Sequence, residues 1–432
     1  MGYPQFLEID RAIFVLSIGF YCLLGSTFFW TLAQYLRRRK AGLADEAELL
    51  AAPLPPADEL PTVLVQLPTY NEGALIGRIS AAVAELDWPR DRLKVQVLDD
   101  STDGSEAEAE RAVAFLKTHG VEAALPRRAV RRGFKAGALA EGLRLSDEPF
   151  VVVFDADYLP PPNFLKACMR PLIADDRLAF VQARCDFLNG DENALTRAQQ
   201  RILDAHYAVE QPARSWSGQI LPFNGTCGIW RRAAIEDAGG WQGDTLAEDM
   251  DLSFRVQLKG WRALFLASVT VPGELPNSFG AWRRQQFRWT KGTAEVTRKL
   301  LASVWGSRLS LGRKLVATLY LGGGLFGMLF GLTLASGMIA LVLGGGLPVV
   351  GYFFIGLLLA EVLGGPMLLQ LAGQKCVRGR RLAAEIARLP GVTGFLVGVN
   401  LVNLGAGLEA VFRRRTDFER TPKAGSALEV NS

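Results

Sequence analysis

The stretch Pro149–Pro162 reads PFVVVFDADYLPPP. Phe150 to Phe154 is a short, unbroken, β-branched apolar run, the pattern of a strand buried on both faces in a parallel sheet. The prolines from Pro160 onward stop it. Asp155 and Asp157 therefore stand two residues apart at the carboxyl end of a strand, the edge where open α/β sheets bind ligands. A carboxylate pair so placed can hold a hard divalent cation such as Mg²⁺ or Mn²⁺, which prefers oxygen donors and bridges phosphate oxygens. On its own D-x-D more often marks a turn with two solvated acids, so the neighbouring stretches have to decide.

Outward from this strand the same pattern recurs. Thr62 to Leu67 and Lys94 to Leu98 read as strands, and Ala179 to Ala183 as another. Helical stretches follow the first two, at Ala74 to Glu85 and Ser105 to Lys117. Strands alternating with helices predict an α/β domain with a mostly parallel sheet. Acids and turn residues recur just after the strands, where a nucleotide would lie.

Composition sets the wider frame. The chain has 432 residues, of which 49% are hydrophobic, and its net charge is only +4. That charge carries no nucleic-acid signature, whereas the apolar content fits a membrane protein. Five cysteines form no C-x-x-C pair, and there are two histidines, His119 and His206. Neither a zinc site, a disulfide framework nor a Ser-His triad is indicated, and a catalytic metal would have to be held by carboxylates.

Ile13 to Leu36 is long enough to span a bilayer, and Arg37 to Lys40 follow it. A cleaved signal peptide would be shorter and would carry its basic cluster first. Residues 1–40 are thus expected to be a transmembrane helix that ends in the cytoplasm, and the proline-rich residues 41–61 a linker. The α/β domain is expected over 62–279. Residues 280–312 are basic and aromatic, the pattern of an amphipathic interfacial segment. Within 313–373, Leu315 to Leu343 and Leu347 to Leu371 read as two transmembrane helices, the second interrupted by Glu361. A further crossing by Val392 to Phe412 would place Arg413 to Arg415 outside, against the positive-inside tendency. Residues 374–432 are therefore expected to be an interfacial or re-entrant segment with a cytoplasmic tail.

Three acidic constellations carry the chemistry: Asp99-Asp100 after one strand, Asp155 and Asp157 after another, and Glu248-Asp249 within TLAEDMDLS. Asp99-Asp100 could simply cap the next helix, and Glu248-Asp249 could be an acidic first helical turn. Their joint occurrence matches what transfer from a sugar nucleotide requires. One acid reads the base or ribose, a carboxylate-held metal neutralises the leaving diphosphate, and a separate carboxylate accepts the proton of the attacking hydroxyl. Arg132, Lys135, Arg288 and Lys423 are the basic candidates for helping the diphosphate leave.

These motifs, in this order, resemble a membrane-embedded family 2 glycosyltransferase of the cellulose synthase superfamily, most like the mannan synthase-like branch and its bacterial relatives. LPTYNE (67–72), LDDSTDGS (98–105), RRGFKAGAL (131–139), FDADYLP (154–160), QARCDFLN (182–189), FNGTCGIWR (223–231), AGGW (238–241), TLAEDMDLSFRVQLKGW (245–261) and QQFRW (285–289) carry the likeness. It implies a GT-A type, Rossmann-like cytoplasmic domain beside an α-helical transmembrane region. It also implies inverting transfer from a UDP- or GDP-linked sugar, with Mg²⁺ or Mn²⁺, at an inner (plasma) membrane.

By matching position, Asp99 and Asp100 would contact the donor base, with Glu72 and Lys135 also in the donor site. Asp155 and Asp157 would form the metal-binding pair, with Asp155 also near the donor, and Asp249, beside Glu248, would be the general base. Phe223, Asn224, Gly225 and Thr226 would line the acceptor site, and Gln285, Arg288 and Trp289 would form the Q-x-x-R-W platform. Phe418 to Lys423 resembles an F-x-V-T-x-K gating loop, with Arg420 in place of Val, which brings Thr421 and Lys423 into the substrate site. Ala247 departs from the residue usual before the acid pair.

The product expected first is a growing β-linked, mannan- or glucan-like polysaccharide. The alternative is a single transfer to a membrane lipid, favoured by the few apolar spans. A transporter or scaffold that merely binds nucleotide would have no use for a base at Asp249 beside a metal-binding D-x-D. The donor sugar is not legible in these residues.

Overall fold

The computed structural model describes residues 3–343, 352, 355, 364–412 and 421. Its centre is a seven-stranded sheet in the order β3-β2-β1-β4-β6-β5-β7. The strands are β1 (Val63–Thr69), β2 (Leu93–Asp99), β3 (Glu122–Ala124), β4 (Phe150–Val153), β5 (Leu178–Phe187), β6 (Gly228–Arg231) and β7 (Arg262–Gly273). β1 pairs in parallel with β2 and β4, and β5 with β7. Only β6 runs against its neighbours β4 and β5. The four expected strands are present, and β3, β6 and β7 join them.

Alternate residues of one strand feed two cores, because strand side chains point to opposite faces. Val65, Leu67, Val97 and Val152 pack on one face with α2 (Leu75–Ala84), α3 (Glu106–Thr118) and α5 (Phe164–Ala174). Leu64, Leu98, Val151 and Val153 pack on the other with α4 (Phe134–Arg144) and α9 (Glu248–Leu258). A strand covered on both sides needs an unbroken apolar run, which is what β4 carries. The parallel strands all end on one edge, and Asp99, Asp100, Asp155 and Asp157 stand there.

The first helix, α1 (Tyr3–Ala51), runs well past the basic cluster. The first part of the expected linker is therefore helix, and the chain leaves it only as Pro53 approaches, since proline disfavours helix in the residue before it. The extension is docked on the domain. Tyr35 stacks on Trp216 at 5.7 Å. A Cβ on Gly42 would lie 2.5 Å from the Trp216 ring, so only glycine allows that approach. Glu46 reaches β7 where three residues bulge from its pairing with β5, between Leu266 and Thr270. Its carboxylate accepts N–H bonds from Ala267 at 2.9 Å and Ser268 at 2.7 Å. Replacing Glu46 by Ala strands those two bulge donors. It is expected to cost about 1–3 kcal/mol, read as a lower melting temperature of the detergent-purified chain.

The remaining helices form a layer beside the sheet. α6 (Ala194–Ala205) continues through a π-helical turn, His206–Glu210, into α7 (Gln211–Trp216), and α8 (Arg232–Asp237) follows β6. α10 (Phe279–Gly306) covers most of the expected interfacial segment. α11 (Leu311–Gly322) and α12 (Phe326–Val342) are bent by 63° across the glycines 322–324. A Cβ on Gly324 would lie 2.6 Å from the Ala294 backbone N, so the bend also seats this pair tightly on α10. Then come α13 (Gly365–Arg378), α14 (Leu382–Ile386) and α15 (Leu389–Val411).

Among the described residues, α1 alone is long and apolar enough to cross a membrane by itself, and the α11–α12 pair would count as a second span if the two were one. α15 is continuous over 23 residues, about 34 Å, so residues 389–411 make no re-entrant turn. It packs on α10, where the buried Lys291 meets Glu409 at 3.0 Å. Glu361 and the cluster Arg413 to Arg415 lie outside the described residues.

Candidate active site

One pocket of about 200 Å³ opens at the carboxyl edge of the sheet. It gathers Glu72, Asp100, Lys135, Asp155, Asp157, Asn224, Gly225, Thr226, Glu248, Asp249, Gln285, Arg288, Trp289 and Thr421. Their distance in sequence is bridged by the fold. Asp155 and Asp157 follow β4, Asn224 to Thr226 precede β6, and Glu248 and Asp249 open α9. Gln285, Arg288 and Trp289 lie at i, i+3 and i+4 on α10, hence on one face of that helix.

α10 is fixed against the acid pair from two sides. Glu295 accepts the Leu246 N–H at 2.9 Å. A Cβ on Gly292 would lie 2.9 Å from that of Ala247, so a larger residue at either position would push the platform away. The small Ala247 that departs from the family pattern is thus matched by Gly292.

The basic and acidic groups are interlocked. Lys135 Nζ donates to Asp155 Oδ1 at 2.5 Å and to the Gly225 carbonyl at 2.9 Å. Burial works to lower the Lys135 pKa, but the charges of Asp155, Glu248 and Asp249 outweigh it and hold it above the ordinary value. Asp155 is further anchored by its own N–H, which donates to Thr226 Oγ1 at 2.9 Å. Asp249 Oδ1 accepts the Met250 N–H at 2.7 Å. Burial, then the charge of Glu248, push the Asp249 carboxyl up to about 7, against the opposing pull of Lys135. Burial also raises Glu248. Gly225 sits at φ +79°, and a Cβ there would lie 2.8 Å from Asp249 Oδ2.

At the far end Asp100 takes the Arg128 guanidinium, with Nε to Oδ1 at 3.0 Å, and Arg131 lies 3.8 Å away. Arg131 stacks on Tyr70, 3.5 Å from its ring centroid. This flat, charged surface was not singled out in the sequence, although Tyr70 lies within LPTYNE and Arg131 opens RRGFKAGAL.

Two expected site residues turn away from the pocket. Asp99 is buried, holding the Ser101 N–H at 3.1 Å and Arg127 at 3.0 Å, so it shapes the loop and does not face the ligand. Consecutive residues at a strand end point to opposite sides, and Asp100 is the one exposed to the pocket. Phe223 is packed edge-on against Phe180 at 5.5 Å and Trp230 at 5.0 Å. It reaches only the neighbouring cavity. Lys423 lies outside the described residues.

That neighbouring cavity, about 480 Å³, shares Tyr207, Asn224, Ala247, Asp249 and Trp289 with the pocket. It extends between α1, α10, α13 and α15 to Phe28, Trp282, Leu369 and Phe395. The Asn224 amide accepts from Gln211 Nε2 at 2.8 Å, and its own Nδ2 has no partner among the described residues. The π-helical turn supplies His206, whose Nδ1 lies 2.8 Å from Glu210 Oε2, and Arg214 donates to the other oxygen at 3.1 Å. Such a turn leaves no periodic trace in sequence, and π-bulges are frequent at functional sites.

Comparison with known proteins bears on this arrangement. The family model described as glycosyltransferase like family 2 matches residues 61–292. Glucomannan 4-beta-mannosyltransferase 1 of Oryza sativa subsp. japonica is 44% identical over 248 residues, 56% of this chain and 48% of its own length. Glucomannan 4-beta-mannosyltransferase 2 of Arabidopsis thaliana is 44% identical over 256 residues, 57% of this chain and 47% of its own length. The chain spans about half the length of these plant relatives. The solved structure of the mannosyltransferase PcManGT from Pyrobaculum calidifontis in complex with GDP-Man and Mn²⁺ aligns over 92% of this chain and 100% of that one. Its TM-score is 0.54 at 20% identity, a likeness of fold.

Proposed function

Because the chain belongs to the glycosyltransferase-like family 2 and has a mixed α/β sheet of the GT-A type, we propose that it is a membrane-bound inverting mannosyltransferase. It would extend a β-linked mannan- or glucomannan-like polysaccharide from GDP-mannose. The observation that carries this reading is the convergence of Asp155, Asp157, Lys135, Arg288 and Asp249 in one pocket continuous with an aromatic-lined cavity. The plant relatives and the GDP-Man in the Pyrobaculum calidifontis structure support mannose as the sugar and guanine as the base.

The donor would lie along the sheet edge, its base end toward Tyr70, Arg131 and Asp100 and its diphosphate toward Lys135 and Arg288. Asp155 and Asp157 fit a divalent metal. No group of three or more acidic, histidine or cysteine ligands is present among the described residues, and Mg²⁺ or Mn²⁺ held by one or two carboxylates takes its other oxygens from phosphate and water. When bound, that metal neutralises charge on the leaving diphosphate.

The acceptor hydroxyl would enter from the neighbouring cavity, with Asn224 Nδ2 free to donate to it. Asp249 then takes the hydroxyl proton as the sugar is attacked. Its pKa of about 7 suits a base working near neutral pH. The polymer would leave between α10, α13 and α15, with α1 and the bent α11–α12 pair in the bilayer and the sheet in the cytoplasm. Thr421, buried in the pocket, would belong to a gating segment.

The test is turnover by the purified full chain in nanodiscs with a panel of labelled nucleotide sugars, its products sized and extracted with organic solvent. Label from GDP-mannose in long, solvent-resistant saccharides is expected. Label moving wholly into the organic phase would identify a glycolipid product and overturn the polymer reading. Chelation by EDTA is expected to lower turnover roughly a hundredfold or more, with recovery on adding Mn²⁺ or Mg²⁺. Full turnover in EDTA would remove Asp155 and Asp157 from a metal role.

A further inference from the structure

Away from the pocket, a separate cavity of about 930 Å³ lies where α6, the start of α10 and the segment joining α13 to α15 meet. Arg197, Arg201, Arg380, Arg381 and Arg388 line it, against the carboxylates of Asp191 and Glu385, leaving a surplus of three positive charges. The carboxylates are already engaged. Glu385 accepts from Arg201 Nε at 2.9 Å and from Arg388 at 2.5 Å, and Asp191 lies 3.3 Å from Arg380. Arg381 is exposed and makes no ion pair among the described residues.

The rest of the surface is apolar. Phe279 and Phe395 line the cavity. Phe279 is 60% exposed, and Leu382 and Ile386, four residues apart on one face of α14, are about half exposed. All of this lies around the start of α15. A soluble anion would be held by the guanidiniums alone and has no use for the exposed Phe279, Leu382 and Ile386. A phosphate carried on an acyl chain uses both surfaces.

We propose that this cavity binds the headgroup of an anionic phospholipid, its phosphate among Arg381, Arg388 and Arg197 and its chains over Phe279, Leu382 and Ile386. The inference rests on the membrane reading above but not on the sugar or the acceptor. Phe395 lines both this cavity and the one beside Asp249, and its ring lies 4.6 Å from that of Trp282, which lines the second. A bound lipid would therefore brace one wall of the acceptor cavity.

The full chain, purified in a neutral detergent, is incubated with phosphatidylglycerol or phosphatidylcholine, and retained lipid is counted by native mass spectrometry. Several-fold greater retention of phosphatidylglycerol is expected. The double variant Arg381→Gln/Arg388→Gln is expected to lose it by about tenfold, the loss of two guanidiniums at a membrane surface. Arg308→Gln, an exposed arginine outside the cavity, should leave retention unchanged. Equal retention of the two lipids, unchanged retention in the double variant, or displacement of the lipid by inorganic phosphate overturns the proposal. Should the double variant fail to fold, Arg381→Gln alone carries the test with the same outcomes. Retention is read without donor sugar, so a wild type that turns over GDP-mannose yet shows no headgroup preference overturns the cavity's role and leaves the transferase reading intact.

Discussion

Asp249→Asn is expected to lower sugar transfer by about a thousandfold, because the amide cannot accept the hydroxyl proton and general-base catalysis contributes roughly 10²–10⁴. Binding of GDP-mannose should survive, since Tyr70, Asp100 and Arg131, the residues proposed to hold the nucleotide, lie at the other end of the pocket. Single-turnover transfer together with nucleotide binding by calorimetry checks both parts. In the wild type, the carboxyl at about 7 should give turnover an acidic limb that rises with pH and levels above neutrality. The stability effect has the opposite sign. The Asp249 pKa is raised in the folded state, so between about pH 4 and 7 the folded chain holds a proton that the unfolded chain has released. Stability at this site therefore falls as pH rises through that window. Asn, which has no charge to bury, should then melt higher than Asp at pH 8, by on the order of 1 kcal/mol, as expected where an active-site group is kept at a cost in stability. An inactive variant that is also less stable would point to a structural role for Asp249.

Gly225→Ala carries the second large effect. The residue lies at φ +79°, where a side chain costs roughly 1–2 kcal/mol. The added methyl would meet Asp249 Oδ2, the movable tip of a side chain. The chain can absorb that clash by turning the carboxylate away, so the fold survives and the proposed base is displaced. A misplacement near 1 Å costs about a hundredfold in rate. Turnover should fall by that order while KM for the donor stays within a few-fold of the wild type. Equal losses in kcat and in donor binding would indicate that the Gly225 carbonyl, by holding Lys135, matters more than the space beside Asp249.

These two residues also show what the sequence could and could not say. Asp249 was legible because an acid pair opens a helix in a motif of recognisable order. Its partner Gly225 was legible as part of FNGTC, but the reason for glycine was not, since the approach of Asp249 is a contact across distant segments. β4 was readable because a strand covered on both faces must be apolar throughout. β6, four residues long and ending in Arg231, has no such run, and β7 carries a bulge that breaks its alternation.

Asp100, with Asp99 beside it, was read as the donor contact, and the direction each takes at the end of β2 leaves only Asp100 lining the pocket. Phe223 was placed in the site with its motif, yet an aromatic beside Phe180 and Trp230 is held by the core. The linker expected after Lys40 read as proline-rich, but its prolines begin only at Pro53, and the residues before them are free to stay helical. Arg131, Tyr70 and the His206–Glu210 turn gave no pattern because their relation exists only in space.

α10 has a practical consequence for anyone wishing to handle the catalytic unit apart from a lipid phase. Gln285, Arg288 and Trp289 enter the pocket from a helix whose other side is seated on α11 and α15. Trimming the chain after β7 would keep every residue of the sheet and of both its cores but remove Gln285, Arg288 and Trp289 from the pocket. The smallest piece worth expressing is thus set by that helix and its neighbours. Solubility would be better sought by redesigning the outward faces of α11, α12 and α15 than by shortening the polypeptide.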